Sequence, residues 1–252
     1  YEGSTQKEVP VPDMGTRWEG LRNAINEAVA ETDEKLFEKY FSGESFTPEE
    51  IILGISKGVK DGSIFPVFCG DALSAFGVEQ LLNGLSWLLP SAFDRGSEIA
   101  LDENNEPVEI CLNEDDPTAA IVFKTTIDPF MGKLSYFKVI SGRVSKDLSL
   151  INMSTKALER VGKIVSVCGK RQEDIQSVSA GDIGVLCKSP SLNTGDTLCS
   201  AERKVTLERV DYPKPCLSMA ISAKDKNEED KLALCLTKIC LEDPTITLRN
   251  DN

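Results

Sequence analysis

The chemistry open to this 252-residue chain is bounded first by an absence, because it contains no histidine. Ser-His-Asp triads, Cys-His pairs and His-ligated zinc are excluded together. Any catalysis by this chain alone would need carboxylates, Lys, Tyr, Cys or a cofactor. Cysteines are present at 69, 111, 168, 187, 199, 216, 235 and 240, and none forms a C-x-x-C pair. Most lie in apolar runs, such as Pro66–Cys69 and Val185–Cys187. They read as small buried hydrophobes in a reducing, cytoplasmic setting rather than as metal or redox ligands. There is no G-x-x-x-x-G-K-[ST] phosphate loop, no Asn-Lys-x-Asp, no G-x-G-x-x-G, no H-E-x-x-H and no EF-hand loop. Carboxylate pairs abound, but in so acidic a chain they read as solvated. Two groups remain as candidates. Asp71 and Ala72 stand in a loop after an apolar run. Lys146, Lys156, Arg160, Lys163, Lys170 and Arg171 form a basic stretch.

Charge by segment sharpens the second candidate. The whole chain carries 28 basic and 41 acidic groups, a net −13 with a pI near 4.6, which excludes a wholly basic DNA-coating protein. Residues 1–100 hold 8 basic and 17 acidic groups, whereas residues 118–171 hold 10 basic and 3 acidic. Screening over about 8 Å lets such a local excess meet phosphates despite the negative total. Aromatics are sparse there, so backbone contact is favoured over base stacking. A solvated strand face is the alternative.

These candidates need elements to hold them. Leu21, Ile25, Val29, Leu36 and Tyr40 fall on one helical stripe beginning near Trp18. Thr47-Pro48-Glu49-Glu50 carries a capping box for a second helix ending near Lys60. Ile64–Cys69 reads as a short buried strand and Gly70–Gly77 as a loop. Val78–Leu89 reads as a helix stopped by Pro90. Ligands of α/β sheets bind in loops that follow strands, as Asp71 and Ala72 would. Residues 91–117 read as an acidic connector of low pattern. Ala119–Ile127 and Lys133–Ile140 read as a hairpin, and the frequent turns beyond it point to a closed β-barrel. Among those turns, the Gly-Asp pairs read as Asp bonding its own turn backbone. Leu217–Ile221, Asp225–Leu241 and Thr245–Leu248 read as the start of a β-α-β unit. No apolar run reaches the ~18–20 residues of a membrane span, and Tyr1–Thr5 has no signal-peptide character. Without an initiator Met, the chain reads as a piece of a longer protein.

Taken in order, the motifs resemble the elongation factor G family of translational GTPases. Glu27-Ala28-Val29-Ala30-Glu31-Thr32-Asp33-Glu34 through Tyr40 resembles a helix in the insert of that family's G domain. Pro66-Val67-Phe68-Cys69-Gly70-Asp71-Ala72 resembles its fifth guanine-nucleotide motif, and Gly77-Val78 through Pro90-Ser91 the helix that follows. Phe123-Lys124, Asp128-Pro129-Phe130-Met131-Gly132-Lys133-Leu134, Ser141-Gly142, Gly181-Asp182 and Thr194-Gly195-Asp196-Thr197-Leu198 resemble signatures of its barrel. Pro213-Lys214-Pro215 and Glu242-Asp243-Pro244-Thr245 resemble the opening of its third domain.

The resemblance implies a multidomain fold. Residues 1–98 would be the last part of a P-loop-type G domain with its helical insert. Residues 99–212 would be a translation-factor β-barrel, and residues 213–252 the start of a ferredoxin-like α+β domain. It implies that the full-length parent binds GTP with Mg²⁺ and drives ribosomal translocation. Gly70, Asp71, Ala72 and Leu73 would meet the nucleotide, with the Ala72 amide on the guanine carbonyl oxygen. Asp71 stands where the family has Ser, which marks a divergent member. A carboxylate there could accept from guanine N–H groups and would repel other acceptors. The barrel would contact small-subunit ribosomal RNA through the six basic residues. The family's phosphate loop, switches and Asn-Lys-x-Asp would precede Tyr1, so this chain alone is expected to bind no nucleotide and to hydrolyse none. Ribosomal protection against tetracycline, peptide release and a non-catalytic RNA-binding module remain alternatives.

Overall fold

The computed structural model describes residues 15–249, the Lys226 side chain excepted. Tyr1–Thr5 therefore lies outside the described residues. Contacts divide the chain into two units, Tyr1–Ser91 and Ala92–Asn252. The sequence puts a first boundary at 98/99, but Ser97 and Glu98 already pair with Cys111 and Ile110 inside the second unit. Residues 213–249 fall in that unit as well.

The first unit is helical. The stripe expected to be one helix is broken into α1 (Thr16–Ala30) and α2 (Glu34–Phe41). The break is local: Asp33 is extended, and its carboxylate accepts from Lys35 N at 2.9 Å, starting a new helix. Bending there brings Val29 and Leu36 to one buried spot facing Gly54 of α3 (Pro48–Asp61). A Cβ at Gly54 would lie 2.6 Å from Val29 Cγ1, so only glycine lets these helices approach so closely. The α3 capping box forms as expected. Thr47 Oγ1 accepts from Glu50 N at 3.3 Å, and Glu50 Oε2 accepts from Thr47 N at 2.7 Å. Gly62, at φ 82°, ends the helix. After the loop at 70–77, α4 spans Val78–Leu88.

The apolar run Ile64–Cys69 is not a strand and is not buried. Phe65 is 81% and Val67 86% exposed. A strand exists only through hydrogen bonds to a neighbour, and the described residues of this unit include no strand to supply one.

The second unit is built on antiparallel ladders. The stretch 91–117, expected to be a connector, instead forms a hairpin of β1 (Ser97–Leu101) and β2 (Pro107–Cys111). Asp102 turns it by accepting from Asn104 N and Glu106 N. The long hairpin β3 (Ala119–Asp128) and β4 (Gly132–Ser141) matches the expected pair. There follow β5 (Arg143–Ser145), β6 (Ser149–Asn152), β7 (Leu158–Arg160), β8 (Ile164–Cys168), β9 (Arg171–Ile175), β10 (Ser177–Ser179), β11 (Ile183–Cys187), β12 (Thr197–Cys199) and β13 (Thr206–Leu207). Eight of them form one sheet in the order β7-β6-β12-β3-β4-β11-β8-β9. Separate ladders join β10 to β5 and β13 to β1. The sheet wraps around one core that takes Val122 from β3, Phe137 from β4, Val144 from β5, Leu150 from β6, Val178 from β10 and Leu198 from β12. That is the expected barrel. On β3 and β4 alternate residues, Ala120 and Val122, then Phe137 and Val139, enter that core, and curling the sheet buries them together.

Beyond the barrel, α5 (Glu229–Glu242) forms where a helix is expected, and Glu242 Oε1 accepts from Ile127 N of β3 at 2.5 Å. Leu217–Ile221 and Thr245–Leu248, expected to be strands, are irregular. Leu217 and Met219 are each 79% exposed, again with no partner strand among the described residues. Of the eight cysteines only Cys187 and Cys199 are buried, which corrects the expectation for the rest. Burial pushes both of those thiols above their ordinary range.

Candidate functional site

The loop at 70–77 is closed at its base by backbone alone. Asp71 N donates to Phe76 O at 2.9 Å. A Cβ on Gly70 would sit 2.7 Å from Phe76 O, and one on Gly77 would sit 2.6 Å from Cys69 O. Gly77 also has a φ of 77°, so both glycines are required for the chain to pass itself this closely.

Inside that closure Asp71 organises the turn. Its Oδ1 accepts from Leu73 N at 3.1 Å, and its Oδ2 accepts from Ser74 N at 3.3 Å and Ser74 Oγ at 2.6 Å. The Ser74 hydroxyl, then the Leu73 amide, hold the carboxyl below the usual carboxylate range. Ala72 and Leu73 are exposed, Leu73 almost completely at 99%. Among the described residues no acceptor takes the Ala72 amide. Ala72 is thus an exposed residue whose backbone donor is unclaimed among the described residues. Such a donor suits a carbonyl oxygen with its lone pair in plane. Ser74 is the working residue that sequence reasoning missed. Its signal was the Asp-x-x-Ser spacing, which places a hydroxyl opposite a turn-initiating carboxylate.

The six basic residues are all exposed, and backbone bonds from Lys146 N to Gln176 O and from Asp147 N to Val161 O set Lys146, Arg160 and Lys163 in one neighbourhood that Lys170 and Arg171 do not share. Lys146 and Arg160 lie near the turn at Asp147, where Arg160 Nη2 is 2.9 Å from Asp147 Oδ1. Lys163 precedes β8, and its ammonium lies 2.7 Å from Asp174 on β9. That hydrogen bond raises the Lys163 pKa above its ordinary value. Lys156 sits in the β6–β7 turn. Lys170 and Arg171 sit at the tip of the β8–β9 hairpin, where Arg171 pairs with Glu173. Seven residues at about 3.3 Å each put Lys170 roughly 20 Å from Lys163, more than two screening lengths. The count over 118–171 stops just short of Glu173 and Asp174, which the hairpin returns to the basic side chains. Among the described residues Lys146, Lys156 and Lys170 make no ion pair. They are the cations best placed to meet phosphate.

Likeness to known proteins runs along the same order of elements. The family model for elongation factor G domain 2 matches residues 117–201, and that for elongation factor G domain III matches residues 212–252. Elongation factor G of Ureaplasma parvum serovar 3 is 33% identical over 249 residues, covering 97% of this chain and 36% of that protein. A crystal structure of a protein from Thermus thermophilus matches with a TM-score of 0.78 at 29% identity, over 99% of this chain and 35% of that one. The chain spans about a third of the length of these relatives. Barrel, following helix and upstream helical unit all fall within one alignment, and the chain belongs to the elongation factor G family.

Proposed function

We propose that the protein carrying this chain is a translational GTPase of the cytoplasm that drives ribosomal translocation. GTP and Mg²⁺ would be its cofactors and the ribosome its partner. The observation that carries the reading is the 33% identity to an elongation factor G across 97% of this chain. Phosphate chemistry would be done by residues outside this chain, which has no phosphate loop. Within the chain, the free Ala72 amide supports a contact with the guanine carbonyl oxygen. The unpaired Lys146, Lys156 and Lys170 support contacts with the ribosomal RNA backbone through the barrel.

The full-length protein, mixed with programmed ribosomes, is expected to hydrolyse GTP and to advance the message by one codon in a toeprint assay. Hydrolysis without codon movement would refute translocation. Release of bound tetracycline or of nascent peptide would assign the protein to those activities instead. Lys156→Glu with Lys170→Glu is expected to lower the slope of log affinity against log salt for ribosome binding by about one to two. An unchanged slope would remove these two lysines from the RNA face.

A further inference from the structure

We propose that Asp71 is a positioning residue for guanine recognition, turning its carboxylate into the loop so that the Ala72 amide is held outward toward the base. The inference rests on the guanine-loop reading above and adds to it the part played by the one residue that departs from the family pattern. A carboxylate beside guanine could read the base's N–H groups directly. Here its oxygens are already engaged by three donors of its own loop, Leu73 N, Ser74 N and Ser74 Oγ. Those bonds fix the two residues just after Ala72. The Asp71 N to Phe76 O bond and the two close-packed glycines fix the loop's base. Ala72 lies between these restraints with its amide unclaimed. Donors fixed in advance lose less freedom on binding, so a carboxylate that shapes the loop acts on affinity without touching the ligand. The low proton affinity of Asp71 is consistent with this, because all three loop bonds favour the ionised form. Serine at this position could cap the same turn more weakly. The departure from the family residue is then a change in how firmly the loop is held.

The test uses the full-length protein and two probes, GDP and 6-thioguanosine diphosphate, which keeps the base N–H groups and replaces the carbonyl oxygen by a weakly accepting sulfur. Wild type is expected to prefer GDP. Asp71→Ala should weaken GDP binding by about tenfold, the scale of one well-placed hydrogen bond, and leave the second probe within about twofold. Asp71→Asn keeps an oxygen for Leu73 N and should stay within about threefold of wild type. Ser74→Ala should fall between them. Amide exchange at Leu73 and Ser74 should quicken in Asp71→Ala. Equal losses for both probes would show general loosening of the loop and overturn the proposal, as would Asp71→Ala binding GDP like wild type. If wild type itself does not distinguish the probes, the guanine-loop reading fails and takes this inference with it. Wild-type discrimination with an indifferent Asp71→Ala sinks the positioning role alone.

Discussion

Replacing Asp196 by Ala should be among the most damaging single changes to the barrel. Asp196 lies in the turn before β12 and is only 4% exposed. Its Oδ2 accepts from Asn193 N, as a turn aspartate does, at 2.9 Å. The same oxygen also accepts from Asn152 Nδ2 at 2.9 Å, and Asn152 is fully buried at the end of β6. Lys133 stands nearby, donating to Pro190 O and Asn193 Oδ1. Burial lowers its pKa and the Asp196 charge opposes that shift. Truncation would leave a buried amide and a backbone N–H without their acceptor. At roughly 1–3 kcal/mol for each unsatisfied donor, the loss should reach about 4 kcal/mol. For a unit of this size that is a fall in Tm of about 8–16 °C. Urea unfolding followed by circular dichroism measures it, read as a shift in midpoint at constant slope. Asp196→Asn should cost less than half as much, because its amide oxygen can take the place of Oδ2 and accept from both Asn193 N and Asn152 Nδ2, while its amide nitrogen replaces the Oδ1 that lies 3.9 Å from Arg209. A double-mutant cycle with Asn152→Ala should return a coupling above about 1 kcal/mol. A loss below about 1 kcal/mol for Asp196→Ala, or additive effects in the cycle, would refute the view that this carboxylate ties the turn to β6.

Two further outcomes follow from local geometry. Gly184→Ala should destabilise the barrel by about 1–3 kcal/mol, since its Cβ would lie 2.6 Å from Val178 Cγ2 and 2.8 Å from Phe137 Cζ; an unchanged urea midpoint would show that the core yields there. Glu50 accepts from Lys39 Nζ at 2.8 Å through both oxygens, and that bond, followed by the Thr47 amide, lowers its pKa below 4.5. The unfolded state therefore binds the proton more readily, so this stabilisation is complete above the ordinary value and is lost as pH falls through the lowered one. Glu50→Gln should flatten the acid limb of the stability profile of the helical unit, and a limb as steep as wild type would place its origin elsewhere.

How much of this was legible beforehand depends on how far each element reaches for its partners. The α3 capping box, the stop at Gly62, α4 and the β3–β4 hairpin were readable because each is satisfied within a few residues or by a strict alternation. The break at Asp33 was equally local, but the continuous apolar stripe outweighed a capping residue inside it. The β1–β2 hairpin was hidden because short strands with exposed acidic faces carry little periodicity. At the candidate site, the sequence singled out the loop and its residues, but the bonds of the Asp71 carboxylate to Leu73 and Ser74 were not read from it.

Sequence alone therefore determined the α3 and α4 helices, the β3–β4 hairpin, the family likeness and the position of the glycine-bounded loop. All of these rest on residue types at short, fixed spacing. Tertiary structure decided the rest. It left Ile64–Cys69 and Leu217–Ile221 exposed and unpaired, since backbone hydrogen bonds in a strand must come from elsewhere in the chain. It parted Lys170 and Arg171, at a hairpin tip, from Lys146, Arg160 and Lys163, and set Asp174 and Glu173 against Lys163 and Arg171. It joined Asp196 to Asn152 across 44 residues. A cap or a turn closes on itself, whereas strand pairing, charge pairing and burial depend on which distant residues the fold returns to the same place.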